Sequence, residues 1–206
     1  NRAMLKKYFV TCLPVILNEM FWSLGMATYK VAYSRMGMQV IASVNVSESI
    51  QNIFFVVLMG ITHASAILIG NRIGENRIGL AKQYASRLLI LGLLIGAVIG
   101  ALLAFLAPWL PLPFNLSASV AHMTSLSLIS LGILVPVKAY NMVLVVGVLR
   151  AGGDTRFSMF TELAGVWFIG VPCAFFGAIV LKMPIYYLYL FVGLEEAFKF
   201  VVGMLR

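Results

Sequence analysis

Long apolar stretches separated by short polar breaks run the length of the chain. About 20 helical residues, rising 1.5 Å each, cross ~30 Å of hydrocarbon. A sliding reading on that scale predicts six spans, over 8–34, 47–70, 86–109, 122–149, 157–180 and 184–205. The runs are continuous rather than alternating at every second residue, which favours helices over a barrel. Two spans carry polar interruptions: Glu48, Gln51, Asn52 and His63 in the second, Lys138 and Asn141 in the fourth. The breaks have their own punctuation. Pro108, Pro111 and Pro113 end the third run, Gly152, Gly153 and Asp154 form a turn after the fourth, and Pro184 opens the last. Within the third span Gly92, Gly96 and Gly100 recur every fourth residue, a face that lets another helix approach closely.

Composition sharpens this into a polytopic, all-α membrane protein. The 206 residues are 62% hydrophobic and 11% charged, against ~45–50% and ~25% in soluble chains. So few charges could not cover a water-facing surface, which argues against a soluble enzyme, a disordered tail or a disulfide-stapled module. The net charge of +8 would suggest nucleic acid in a soluble protein; beside apolar spans it points to loops facing anionic lipid. Arg2, Lys6, Lys7, Arg72, Arg77, Lys82, Arg87, Arg150, Arg156, Lys199 and Arg206 all fall on one side. The other side holds Lys30, Arg35 and Lys182, and Lys138 is left within a span. The positive-inside rule then places both termini in the cytoplasm, with Trp109, Tyr186, Tyr187 and Tyr189 near the outer interface. Residues 71–89, with bases interleaved among Ile73, Ile78, Leu80, Tyr84 and Leu88, are expected to lie on the inner membrane surface. Cys12 and Cys173 sit in apolar runs, which leaves packing as their role. The absence of an initiator Met and of a signal peptide suggests an excised segment.

Most of the acids lie inside spans. Only Glu75 and Asp154 are in loops, the latter expected to be clamped between Arg150 and Arg156; Glu19, Glu48, Glu162, Glu195 and Glu196 are not. A carboxylate at the bilayer centre costs ~2.5–3.5 kcal/mol, so it must neutralise, pair or line water. Counting from residue 8, Glu19 lies roughly 16 Å deep, with Glu195 and Glu196 similarly deep and Glu48 and Glu162 shallower. Glu19, preceded by Asn18 and followed one turn on by Trp22, is placed to exchange a proton or hold a sodium ion, or else to bond a neighbouring helix. Lys138 is a counter-charge for Glu19 or for a final-helix acid. Glu195 and Glu196 point about 100° apart on a helix, and Lys199 stands i+4 and i+3 from them. One acid is expected to be paired and the other open to an ion-binding or substrate-attracting role. Phe21 and Trp22 are aromatic candidates for a cavity wall. His63 and His122 have no metal-ligand partners at suitable spacing, His63 reads as a polar packing residue, and no nucleotide loop or nucleophile elbow appears, so neither catalytic residues nor a metal site nor a bound cofactor is expected.

The segments PVILNEMFWSLG (14–25), ASAILIGNRIGENRIGLAKQYA (64–85) and VLRAGGDTRF (148–157), in this order and spacing, resemble the C-terminal half of a multidrug and toxic compound extrusion (MATE) transporter. The resemblance implies two six-helix lobes around a cavity, of which this chain supplies one and the N-terminal lobe of the same polypeptide the other. It also implies export of organic, often cationic compounds by alternating access, coupled to H⁺ or Na⁺, from a multi-pass protein of the cell membrane. On the same ground Glu19 is the cation or proton site of this half. Some members place a carboxylate about eleven residues before the LR of the fourth helix; here KAYNMVLVVGVLR offers Lys138, which could act as a tethered cation. Two rival readings are a flippase for lipid-linked saccharides and a non-transporting membrane assembly subunit.

Overall fold

The computed structural model describes the backbone of residues 2–206 and the side chains of residues 12–206; the side chains of Arg2, Lys6 and Lys7 lie outside the described residues. The fold is all-helical, six rods running up and down in sequence. They are α1 (Arg2–Ser34), α2 (Met38–Gly74), α3 (Ile78–Leu106), α4 (Ala118–Arg150), α5 (Thr155–Val180), and a sixth rod made of α6 (Ile185–Val192) and α7 (Leu194–Met204) joined through Gly193. Among the described residues, α2, α3, α4 and α5 are each long and apolar enough to cross a membrane. Most helices outrun the predicted spans because helical hydrogen bonding continues past the apolar limit into polar residues. The third does so only at its start, Ile78, and stops at Leu106 rather than 109, where the proline cluster begins, while the sixth rod, from Ile185 to Met204, falls just inside its predicted 184–205.

The connections are tight. Gly37 turns the chain at φ 112°, a conformation open to few residues but glycine. Asn76, at φ 60°, reverses α2 into α3, asparagine being among the few side chains that tolerate the left-handed region. This hairpin corrects one expectation: residues 71–89 form no separate surface helix but the end of α2, a three-residue turn and the start of α3. The apolar residues that suggested a surface-lying face are those of two long helices near their ends. His63, expected to pack, is exposed on α2.

Helix α4 lies at the centre, half of its most apolar window buried against 22–33% for the other three long helices. It packs on α2 and α3 on one side and on the sixth rod on the other, while α1 leans on α5. The glycine face of α3 meets α4. A Cβ on Gly96 would stand 3.0 Å from the Cα of Pro136 and 3.2 Å from the Val135 carbonyl oxygen. At Gly100 and Gly132 the two backbones touch, each glycine offering a site that a side chain would fill with the other's carbonyl oxygen. Pro136 has no N–H, so the Gly132 carbonyl loses its helical partner; its oxygen faces Gly100 of α3, where a side chain would collide with it. Gly100→Leu is therefore expected to destabilise the fold by about 1–3 kcal/mol or more through overpacking. Gly79→Leu, where a Cβ meets nothing within 4 Å, should leave unfolding in mixed micelles unchanged.

The four aromatic residues expected at an interface do not share one environment. Trp109 and Tyr187 are exposed, but Tyr189 is 9% exposed, its ring edge-on to Tyr33 with centroids 5.8 Å apart. Next to Tyr187 on a helix, it faces inward and belongs to the core.

Candidate functional site

Two polar clusters are built into this apolar frame. The first joins α1, α4 and α5. Arg150, the last residue of α4, folds back along α5 instead of reaching outward. Its Nη1 donates to Glu19 Oε1 at 2.8 Å, its Nη2 to Glu162 Oε2 at 3.0 Å and its Nε to Ser158 Oγ at 3.4 Å. Asn18 Nδ2 donates to the same Glu162 oxygen at 2.5 Å. Arg150 and Glu162 are 16% and 18% exposed, whereas Glu19 is 55% exposed. Two carboxylates share one guanidinium, and the accessible one, with a single partner among the described residues, can release it.

The depth assigned to Glu19 is corrected by this geometry. It shares the Arg150 guanidinium with Glu162, which lies seven residues and about 10 Å into α5, and since α1 begins at Arg2 a count from residue 8 does not measure its depth. Phe21 and Trp22 sit beside it, each 39% exposed. The Phe21 carbonyl accepts the indole N–H of Trp167 at 3.2 Å. Asn18 is fully buried with its Oδ1 unpartnered.

The second cluster is deeper and closed. Both final-helix acids are buried, Glu195 at 4% and Glu196 at 8% exposed, contrary to the expectation that they would face different surroundings. Lys199 Nζ lies 3.6 Å from Glu195 and 3.3 Å from Glu196, and it too is buried. Tyr29 donates its hydroxyl to Glu195 at 2.5 Å. Asn141 Nδ2 donates to Glu196 Oε2 at 2.7 Å and to its carbonyl at 2.9 Å. Room for this comes from α5, whose Gly165–Gly170 stretch is wound as a π-helix. A Cβ at Gly165 would stand 2.8 Å from Lys199 Cε, and one at Gly170 would occupy the space of the Tyr29 hydroxyl.

Lys138 forms no ion pair with any described carboxylate within 4 Å, so the direct pair expected of it is not made; its positive charge faces Glu195 and Glu196 only at longer range, and Glu19 is met by Arg150. Lys199, on the same helix as both acids, takes their place of contact, and Asn141, one turn after Lys138, reaches Glu196 instead. Lys199 is accordingly not a surface base. Asp154 is not clamped by Arg150 and Arg156 either: it accepts from Arg206 at 2.9 and 3.1 Å, since Arg150 has turned inward. Tyr29 and Arg150 are the contributors that sequence reasoning missed; their partners lie 166 and 131 residues away. Among the described residues no group of three His, Cys, Asp or Glu side chains could hold a metal ion.

Comparison with known proteins agrees with this architecture. The chain is 28% identical over 179 residues to the uncharacterized transporter YisQ of Bacillus subtilis, a match covering 85% of this chain and 38% of that protein. It is 26% identical over 163 residues to the multidrug resistance protein MdtK of Yersinia pestis, covering 79% and 35%. The chain thus spans well under half the length of these relatives. In fold it matches the structure described as the outward-facing conformation of a multidrug resistance MATE family transporter of the MOP superfamily, with a TM-score of 0.87 at 18% identity over 97% of this chain and 44% of that one. The MatE family model matches residues 14–176, most of the chain, and the chain, a six-helix membrane protein, belongs to this family of transporters.

Proposed function

We propose that this chain is one six-helix lobe of an antiporter that exports organic, often cationic compounds by alternating access, driven by inward H⁺ or Na⁺. Its partner is the N-terminal lobe of the same polypeptide, and both ends of the segment face the cytoplasm of a cell membrane. The inner ends carry Arg72, Arg77, Lys82, Arg156 and Arg206, an asymmetry that supports this orientation even with Lys199 buried. No chemical conversion of the cargo is part of the reading.

The observation that carries it is the accessible carboxylate of Glu19, held among the described residues by Arg150 alone, in a site where Glu19 and Glu162, when both are ionised, outnumber Arg150 by one charge. A proton or sodium ion arriving at Glu19 competes with Arg150 and with a cationic cargo. Binding of the coupling ion and binding of the cargo then favour different lobe arrangements, each shifting the equilibrium by its differential affinity. Arg150 is the tethered cation of this arrangement, the part the sequence assigned to Lys138. Lys199 stands in the closed interior, where Glu195 and Glu196 are fully engaged and serve the framework. The predominance of accessible acid over accessible base at the site also speaks against a saccharide-pyrophosphate cargo.

The test is uptake of a fluorescent organic cation into vesicles containing the full-length protein, with a proton or a sodium gradient imposed separately. Accumulation driven by one of the two gradients and collapsed by dissipating it is the expected result. Accumulation indifferent to both would remove ion coupling, and no accumulation of any organic cation would leave the assembly-subunit reading standing.

A further inference from the structure

Only three bases were assigned to the outer side, and the structure treats them differently. Lys30 pairs with Glu48 at 2.7 Å. Arg35 and Lys182 form no ion pair with any described carboxylate, and both line one groove of about 710 Å³ at the outer ends of α1 and α5. Phe175, Ile179, Met183 and Pro184 make its apolar wall. Lys182 holds its place at φ 48°, a left-handed conformation that a lysine adopts at a steric cost. Bases are scarce outside the membrane because they oppose the preferred orientation, so two uncompensated ones converging on a single apolar-walled groove call for an anion with a hydrocarbon tail.

We infer that this groove binds an anionic phospholipid of the outer leaflet, its phosphate between Arg35 and Lys182 and an acyl chain along Phe175 and Ile179. A free inorganic anion would leave the apolar wall uncovered, and a purely apolar chain would leave two charges unmatched at the membrane rim. The leaflet rests on the orientation proposed above; the lipid class does not.

The full-length protein, placed in nanodiscs of equal phosphatidylglycerol and phosphatidylcholine, would be examined by native mass spectrometry for retained lipid. The wild type is expected to retain phosphatidylglycerol preferentially. Arg35→Gln with Lys182→Gln should reduce that preference about 30-fold, as befits two bases each attracting anionic lipid near the surface. Arg77→Gln with Lys82→Gln, at the opposite end, where bases meet lipid without an apolar-walled groove, should reduce it far less. Ile179→Trp, which fills the apolar wall without touching a charge, should also reduce retention, so that a misfolded double variant does not end the test. Absence of a preference, a preference unchanged in both groove variants, loss of it in the inner-end variant alone, or displacement of the lipid by inorganic phosphate would each overturn the inference. Impermeant labelling of a terminal tag reads the orientation separately, so failure of that reading is distinguishable.

Discussion

Lys199→Met is expected to destabilise the lobe by about 3–5 kcal/mol, the cost of leaving a buried charge without its partner. Glu195, Glu196 and Lys199 have side chains only 6%, 10% and 6% exposed, so water cannot substitute for the lost ammonium. Tyr29 and Asn141 each satisfy one carboxylate oxygen but carry no charge. If the loss is electrostatic, removing the charges together should recover most of it: Lys199→Met combined with Glu195→Gln and Glu196→Gln is expected to unfold close to the wild type. Reversible unfolding in mixed micelles measures both variants. A loss under about 1 kcal/mol for Lys199→Met would mean that the two acids do not depend on the ammonium, and the closed-interior account would be wrong. Lys199→Arg is no harmless alternative, because a branched guanidinium has a different shape and donor geometry and Gly165 already leaves no spare room around the lysine stem.

The second large effect falls on transport rather than on folding. Glu19→Gln in the full-length protein should lower ion-driven export of an organic cation by about 5- to 150-fold, the range spanned by typical coupling between two sites. Its stability should change little, since the side chain is more than half exposed. Glu162→Gln makes the contrast. That acid is mostly buried and also accepts from Asn18 and Arg150, so its loss should show in unfolding before it shows in ion dependence. Wild-type export by both Glu19→Gln and Glu19→Ala, at normal expression, would eliminate Glu19 as the coupling group.

The two clusters differ in how much of them could be read along the chain. Lys199 was legible as a partner of Glu195 and Glu196 because helical spacing alone brings residues three and four apart together. The glycine face of α3 was legible for the same reason, although the α4 surface it meets, with Pro136 freeing the Gly132 carbonyl, was not. Tyr189 read as an interfacial ring because composition and depth say nothing of which side of a helix faces the core. Asp154 read as the partner of its nearest bases, and the structure gives it Arg206, 52 residues away.

What the sequence determined by itself is the class: an all-helical membrane protein of six rods, with acids kept inside it. That follows from local rules, since a helix satisfies its own backbone within one segment and the hydrocarbon thickness sets its length. What only the tertiary structure decided is which acid meets which base. Arg150 could have pointed to the surface, Lys138 to Glu19, or Glu195 to an open cavity, and none of these choices is encoded in neighbouring residues. They depend on the rotation of α1, α4, α5 and α7 about their axes. A turn of about 100° per residue there separates an exposed carboxylate such as Glu19 from the buried Asn18 beside it.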